Sequence, residues 1–144
     1  MSMFVSEYNY SLDAKGRLLL PAPFRKIIGD ECVIARGLDK CLLIYTSEAW
    51  TRFYQGILEL DELDENVRML RRFYGSGATP TQLDKQGRIL LNAGQKAFAG
   101  IDKDVVLVGV GDYAEIWPAE RYNQFNFDNV AEVARKVREG KRKP

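Results

Sequence analysis

The chain has 144 residues, 46% of them hydrophobic, and a formal net charge of +1. That fits one compact domain or two small interlocked lobes and excludes a disordered chain. No apolar run approaches the roughly 18 residues of a membrane span, the N-terminus lacks the pattern of a signal peptide, and the absence of histidine removes Ser-His and Cys-His catalysis and histidine-held metals.

Residues 8–12 alternate and carry Tyr8 and Tyr10, which predicts a strand. Ala14-Lys15-Gly16 is a turn, because glycine takes a positive φ without steric cost. A second strand spans Arg17–Leu20 and stops at Pro21 and Pro23. Phe24–Ile28 reads as a short helix ended by Gly29. Cys32–Arg36 and Cys41–Tyr45 are strand-like, with Gly37-Leu38-Asp39-Lys40 turning between them. Ser47 is the expected cap of a helix that carries Glu48 in its first turn and Trp50, Phe53, Tyr54 and Ile57 on its apolar face.

An acidic stretch follows, then a helix from about Asp64 to Tyr74. Val67, Leu70, Phe73 and Tyr74 mark its buried side, and Arg68, Arg71 and Arg72 the other. Gly75-Ser76-Gly77 is expected to end it. Further strands are predicted near Gln82–Leu83, Arg88–Leu91, Val105–Val108 and Ala114–Trp117, with a helix from Pro118 to about Phe125. The last helix runs from Asp128, as cap, to about Glu139. Val130, Val133, Ala134 and Val137 give it an i, i+3, i+4, i+7 stripe, and its end frays into a tail over 140–144.

Charge is unevenly placed. Glu59, Asp61, Glu62, Asp64 and Glu65 make residues 57–66 a block of −5, so the rest of the chain is +6. Arg135, Lys136, Arg138, Lys141, Arg142 and Lys143 crowd the C-terminus. This tail could track a polyanion or simply be solvated. The acidic block lacks the spacing of a calcium loop and reads as a solvated linker. Cys32 and Cys41 have neither metal-ligand spacing nor histidines to join them. They read as reduced thiols of a cytoplasmic protein, with a disulfide as the alternative.

The chain repeats itself. Leu12-Asp13-Ala14-Lys15-Gly16-Arg17-Leu18-Leu19-Leu20 returns 71 positions later as Leu83-Asp84-Lys85-Gln86-Gly87-Arg88-Ile89-Leu90-Leu91. Ala22 matches Ala93 and Gly29 matches Gly100. One insertion later, Val33 matches Val105, Gly37 Gly109, Ile44 Ile116 and Glu48 Glu120. Two copies are too few for a solenoid. They predict a pseudo-two-fold pair sharing one core, an α+β, mostly β fold in which interlocked copies close a small β-barrel and hide sheet edges, with helices appended.

Each copy carries D-x-x-G-R. A tight hairpin brings its arginine close to a groove, and the guanidinium fork suits phosphate or guanine edges. The aspartate four residues earlier is expected to hold that fork by a bidentate pair. Gly16 and Gly87 provide the turn, and Lys15 and Lys85 add phosphate contacts. The blander reading makes Asp13–Arg17 and Asp84–Arg88 hairpin salt bridges, worth roughly 0–1 kcal/mol each. Gly109-Val110-Gly111-Asp112-Tyr113-Ala114 fits a dinucleotide-binding pattern in outline, but a strand follows where a long helix is required. It is read as a turn.

The motifs L-D-x-K-G-R-L-L-L-P-A-x-F-R and L-D-x-x-G-R-I-L-L resemble the swapped-hairpin AbrB-like transcription factors. With the tandem arrangement and intervening helices, residues 3–125 resemble the MraZ family. The resemblance implies a first AbrB-like repeat over 5–60, an inter-repeat helix and linker over 61–77, a second repeat over 78–125, and a C-terminal helix and basic tail over 126–144. It implies a nucleoid-associated regulator, without cofactor or metal, that binds double-stranded promoter DNA carrying short direct repeats at the division and cell-wall gene cluster. It also implies a ring-shaped, octamer-like homo-oligomer. DNA contacts are expected from Lys15, Arg17, Arg25, Lys85, Arg88 and Lys96, with Asp13, Gly16, Asp84 and Gly87 shaping the turns. The second copy departs from the pattern: Asn92, Gly94, Gln95 and Lys96 replace Pro21, Pro23, Phe24 and Arg25, so its short helix is expected to be less well defined. A protein-interaction hub or antitoxin-like module is the alternative, and an enzyme is not expected.

Overall fold

A computed structural model describes residues 3–142. Its elements run β1 (Glu7–Ser11), β2 (Arg17–Leu19), α1 (Ala22–Ile28), β3 (Glu31–Arg36), β4 (Leu42–Thr46), α2 (Ser47–Leu58), α3 (Glu65–Gly77), β5 (Thr79–Gln82), β6 (Arg88–Leu90), α4 (Ala93–Ala99), β7 (Asp104–Gly109), β8 (Ala114–Pro118), α5 (Ala119–Tyr122) and α6 (Val130–Arg142).

Six strands form an antiparallel sheet in the order β1-β7-β8-β4-β3-β5, and β2 pairs with β6 as a separate ribbon. The copies exchange their first strands: β1 of the first pairs with β7 of the second, and β5 of the second pairs with β3 of the first. β4 and β8 meet in the middle, Leu43 opposite Glu115. The expected barrel closure is not what the hydrogen bonds describe. The sheet is open, with β1 and β5 as its edges, and the edges are short enough to leave few unpaired groups.

Side chains alternate across a strand, so the sheet carries two cores. Cys32, Ile34, Leu42, Ile44, Val105, Leu107 and Ile116 face the ribbon, where Leu18, Leu20, Phe24, Ile89 and Leu91 close the main core. Val33, Ala35, Leu43, Tyr45 and Trp117 face the other way, under Ala49, Trp50 and Phe53. Each fully buried Leu, Ile or Phe contributes about 1.5–3 kcal/mol. Cys32 and Cys41 are both free thiols and sit in different cores, which removes the disulfide alternative. Burial raises each thiol to about 12.

Several element ends differ from expectation. Thr46, not Ser47, caps α2, its hydroxyl accepting from Ala49 N–H at 3.0 Å. Gly75-Ser76-Gly77 does not end α3 but forms its last turn, where Ser76 Oγ donates to Arg72 O. Arg71 is not a solvated residue: it reaches Leu58 O and Glu62 and ties α3 back to the end of α2. Pro118 precedes α5 rather than starting it, and α5 spans only four residues. The second short helix, expected to be poorly defined, has the same seven-residue length as α1 and a better start. Asn92 and Gln95 form a reciprocal capping box there, whereas Pro21 supplies no side-chain cap to α1. α6 starts at Val130, two residues after the expected cap, and its Val130, Val133 and Val137 are all exposed. The basic tail beyond Arg142 lies outside the described residues.

Candidate nucleic-acid interface

The ribbon has one buried and one open face. Leu18 opposes Ile89, and both are completely buried. Arg17, Leu19, Arg88 and Leu90 share the other face, with Arg17 opposite Leu90 and Leu19 opposite Arg88. Leu19 and Leu90 are exposed between the arginines. The sequence reading passed over this apolar pair, although the alternation of the Leu18-Leu19-Leu20 run carries the signal.

The two D-x-x-G-R turns are built alike. Gly16 N–H donates to Asp13 O at 3.0 Å, and Gly87 N–H to Asp84 O at 2.9 Å. The glycines take φ of +81° and +80°, a conformation that costs other residues energy. Contrary to expectation, the carboxylates do not grip the arginine forks bidentately. Asp13 uses Oδ1 for the backbone N–H groups of Lys15 and Arg17, both at 2.9 Å, and Oδ2 for Arg17 Nε at 2.6 Å. Asp84 does the same with Gln86 N–H, Arg88 N–H and Arg88 Nε at 3.0, 2.9 and 2.8 Å. Four residues suffice for this because a two-strand turn returns the chain to its start. Each aspartate thus fixes turn and arginine together through Nε and does not engage the terminal nitrogens of its own arginine. Among the described residues the Nη atoms of Arg17 have no hydrogen-bond partner, whereas Arg88 Nη2 donates to Gln86 Oε1 at 3.2 Å.

These hydrogen bonds, first among them the one from the N–H of Arg17 or Arg88, hold the Asp13 and Asp84 carboxyls below their ordinary value of 3.8, against a partial opposing effect of desolvation. Both aspartates therefore stay ionised through the neutral range.

The remaining candidate cations come from the opposite copy. Arg25 of α1 lies over Gly87, so that a Cβ placed there would meet Arg25 Cδ at 2.3 Å. Lys96 of α4 lies over Gly16, with its Nζ 3.4 Å from the corresponding point. Lys96 therefore occupies the place in its copy that Arg25 holds in the other. The turns are also stitched by backbone: Leu91 N–H donates to Gly16 O at 3.0 Å, and Leu20 N–H to Gly87 O at 3.1 Å. Lys15 and Lys85 are exposed on the turns but are not equivalent. Lys15 aligns with Gln86, and Lys85 with Ala14. The structure thus gathers Lys15, Arg17 and Lys96 about the first turn, and Lys85, Arg88 and Arg25 about the second. Among the described residues no group of three or more His, Cys, Asp or Glu is placed to hold a metal ion, and no helix is long and apolar enough to cross a membrane.

Comparison with known proteins matches the family model described as "MraZ protein, putative antitoxin-like" over residues 3–73 and again over 75–138. The protein named transcriptional regulator MraZ from Lachnoclostridium phytofermentans is 42% identical over 132 residues, covering 92% of this chain and 93% of its own. Those of the same name from Natranaerobius thermophilus and Lactiplantibacillus plantarum are each 40% identical over 136 residues, with 90% of this chain covered and 95% and 96% of theirs.

Proposed function

This chain belongs to the MraZ family, and we propose on that premise that it is a transcriptional regulator that binds double-stranded DNA through its two D-x-x-G-R turns. The observation that carries the reading is the gathering of three cations about each of the two turns. Arg17 and Arg88 are aimed by their aspartates, Lys15 and Lys85 flank them, and Arg25 and Lys96 are delivered from the opposite copy. A pseudo-two-fold pair of aimed forks suits a polymer whose backbone repeats. No catalytic group is part of it.

The finer reading follows from the family resemblance. The target is promoter DNA with short direct repeats at the division and cell-wall genes, gripped by neighbouring subunits of an octamer-like ring in the cytoplasm at the nucleoid. Repetition of modest contacts explains how a chain of net charge +1 holds DNA, because linked sites gain by effective concentration. Repression by obstructing polymerase is the simplest mechanism. An antitoxin-like role, which the family description mentions, is the second reading; two turns per chain and a basic C-terminus fit it less well.

The test is binding of the purified protein to DNA from upstream of its own gene, beside a scrambled duplex, over a salt series. Preference for its own DNA that disappears in Arg17→Ala and Arg88→Ala is the expected result. Equal, steeply salt-dependent binding to both duplexes reduces the role to electrostatic packaging, and no binding turns attention to a protein partner.

A further inference from the structure

On the sheet face away from the ribbon there is a cavity of about 480 Å3. It sits over the β4–β8 pair, where the two copies meet, and it exists because the copies differ there. The first copy covers this face with the twelve-residue α2, while the second continues only into the four-residue α5. The walls are aromatic: Tyr45 and Tyr113 lie 5.2 Å apart by ring centroids, Tyr45 and Phe53 5.7 Å, and Phe53 and Tyr74 5.0 Å.

Into this apolar face projects Glu115, at the position that Leu43 occupies in the first copy. Its carboxylate is half-buried. It accepts from Trp117 Nε1 at 3.0 Å and from the Cys41 thiol at 3.7 Å. Among the described residues no Lys or Arg nitrogen lies within ion-pair distance of it. Asp39 and Asp112, both exposed, line the same cavity; Arg52 is the one cation among its lining residues, which together carry two negative charges in excess, while Arg121 stands outside it, over the Trp117 ring and bonded to Asp39 O. A half-buried carboxylate without an ion-paired partner is less well stabilised than one in water, and the faces of the surrounding rings carry the same negative sign toward the space they enclose.

We infer that this cavity is a binding site for a small organic cation, an ammonium or guanidinium group on a short hydrocarbon stem. The charged head pairs with Glu115, and the stem lies against Tyr45 and Tyr113. The three acids are not grouped closely enough to hold a metal ion, aromatic walls favour a weakly hydrated organic cation, and a cavity of this size lies within the range of small-ligand pockets. The site is on the opposite sheet face from the ribbon and does not depend on the DNA reading.

The experiment titrates the full-length protein with agmatine, putrescine and tetramethylammonium. Intrinsic fluorescence is the readout, since Trp117 shares the Glu115 carboxylate, with calorimetry in parallel. Sodium chloride at matched ionic strength and propionamide are the controls. Saturable binding of at least one cation, weakened tenfold or more in Glu115→Gln and less in Asp112→Asn, is the expected result. The amide introduced by Glu115→Gln retains an acceptor for Trp117, and circular dichroism checks that both variants fold. Binding unchanged in Glu115→Gln, or no saturable binding by any of the three cations, overturns the inference. So does a response to free cations that is absent while Glu115→Gln changes the assembly state, because the occupant is then a basic side chain of a second copy.

Discussion

Arg88 reaches across the pseudo-two-fold axis to Asp13, Nη1 to Oδ2 at 3.6 Å, while its Nε holds Asp84 at 2.8 Å. One guanidinium thus touches the carboxylates of both turns, and the two motifs, 71 positions apart in sequence, form one electrostatic unit. Among the described residues Arg17 makes only its own pair. The unit is asymmetric, with Arg88 more restrained than Arg17.

Arg17→Ala and Arg88→Ala should weaken DNA binding with little loss of fold. These partly exposed pairs are worth roughly 0–1 kcal/mol of stability each. An arginine that reads a base should cost about 1–3 kcal/mol of binding and relax specificity at one position, whereas one that holds phosphate should weaken all sequences and lower the salt slope by about 1. Titrations on single-base variants of the bound site separate the two roles. A loss of several kcal/mol of stability in urea would return both pairs to a structural role.

Gly87→Ala should destabilise more than Gly100→Ala. Both glycines have positive φ, but a Cβ at Gly100 meets nothing within 4 Å while one at Gly87 meets Arg25. The backbone conformation alone costs about 1–2 kcal/mol, and displacing Arg25 adds to it. In an Arg25→Ala background the excess should disappear. Urea unfolding of the four proteins gives the double-mutant coupling, and a coupling of zero would show that Arg25 does not hold its place over the turn.

Asn92→Ala should cost about 1 kcal/mol, because it breaks the capping box of α4. Removing Asn92 Oδ1 leaves Gln95 N–H without its partner at 2.8 Å. Lys96, on the same helix, should then lose its fixed position over Gly16 and DNA affinity should fall with it. Chemical denaturation and DNA titration of one variant check both effects.

Acid should loosen the turns only well below neutrality. The Asp13 and Asp84 carboxyls have lower pKa values folded than their ordinary 3.8. Their stabilising contribution is therefore fully present above the unfolded value and is lost as pH falls through the folded one. Carboxyl-carbon NMR should show both midpoints below 3.8, and Asp13→Asn should remove the first while the second stays below 3.8, since Arg88 and the turn N–H groups still hold Asp84. Midpoints at or above the ordinary value would mean that the turn hydrogen bonds are not kept in solution.

Removing residues 128–144 should leave the core intact. Val130, Val133 and Val137 of α6 are about half exposed or more, so their deletion uncovers little. The melting temperature of the shortened chain should move by no more than about 2–4 °C, the equivalent of about 1 kcal/mol. A larger drop, measured at matched concentration with sedimentation to follow assembly, would show that α6 is covered in solution.

The sequence by itself determined the turns, which depend on a few consecutive residues. D-x-x-G-R specifies the turn, the positive φ of its glycine and the Asp–Arg pair, because all the atoms involved lie within one reversal of the chain. The 71-residue repeat likewise announced a two-fold pair, and the alternation of β3 and β4 was legible as strand. The tertiary structure decided what depends on register between distant strands. Asn92 and Gln95 looked like losses against Pro21 and Phe24, yet they form a capping box within four consecutive residues, a local N-x-x-Q signature that the sequence did carry. Arg25 over Gly87, Lys96 over Gly16, Arg88 beside Asp13 and Glu115 among the tyrosines each join residues of different copies. No local pattern encodes them, because their partners are chosen by how β1 pairs with β7, β3 with β5, β2 with β6 and β4 with β8, and that pairing is settled by which faces of the strands the shared core must bury.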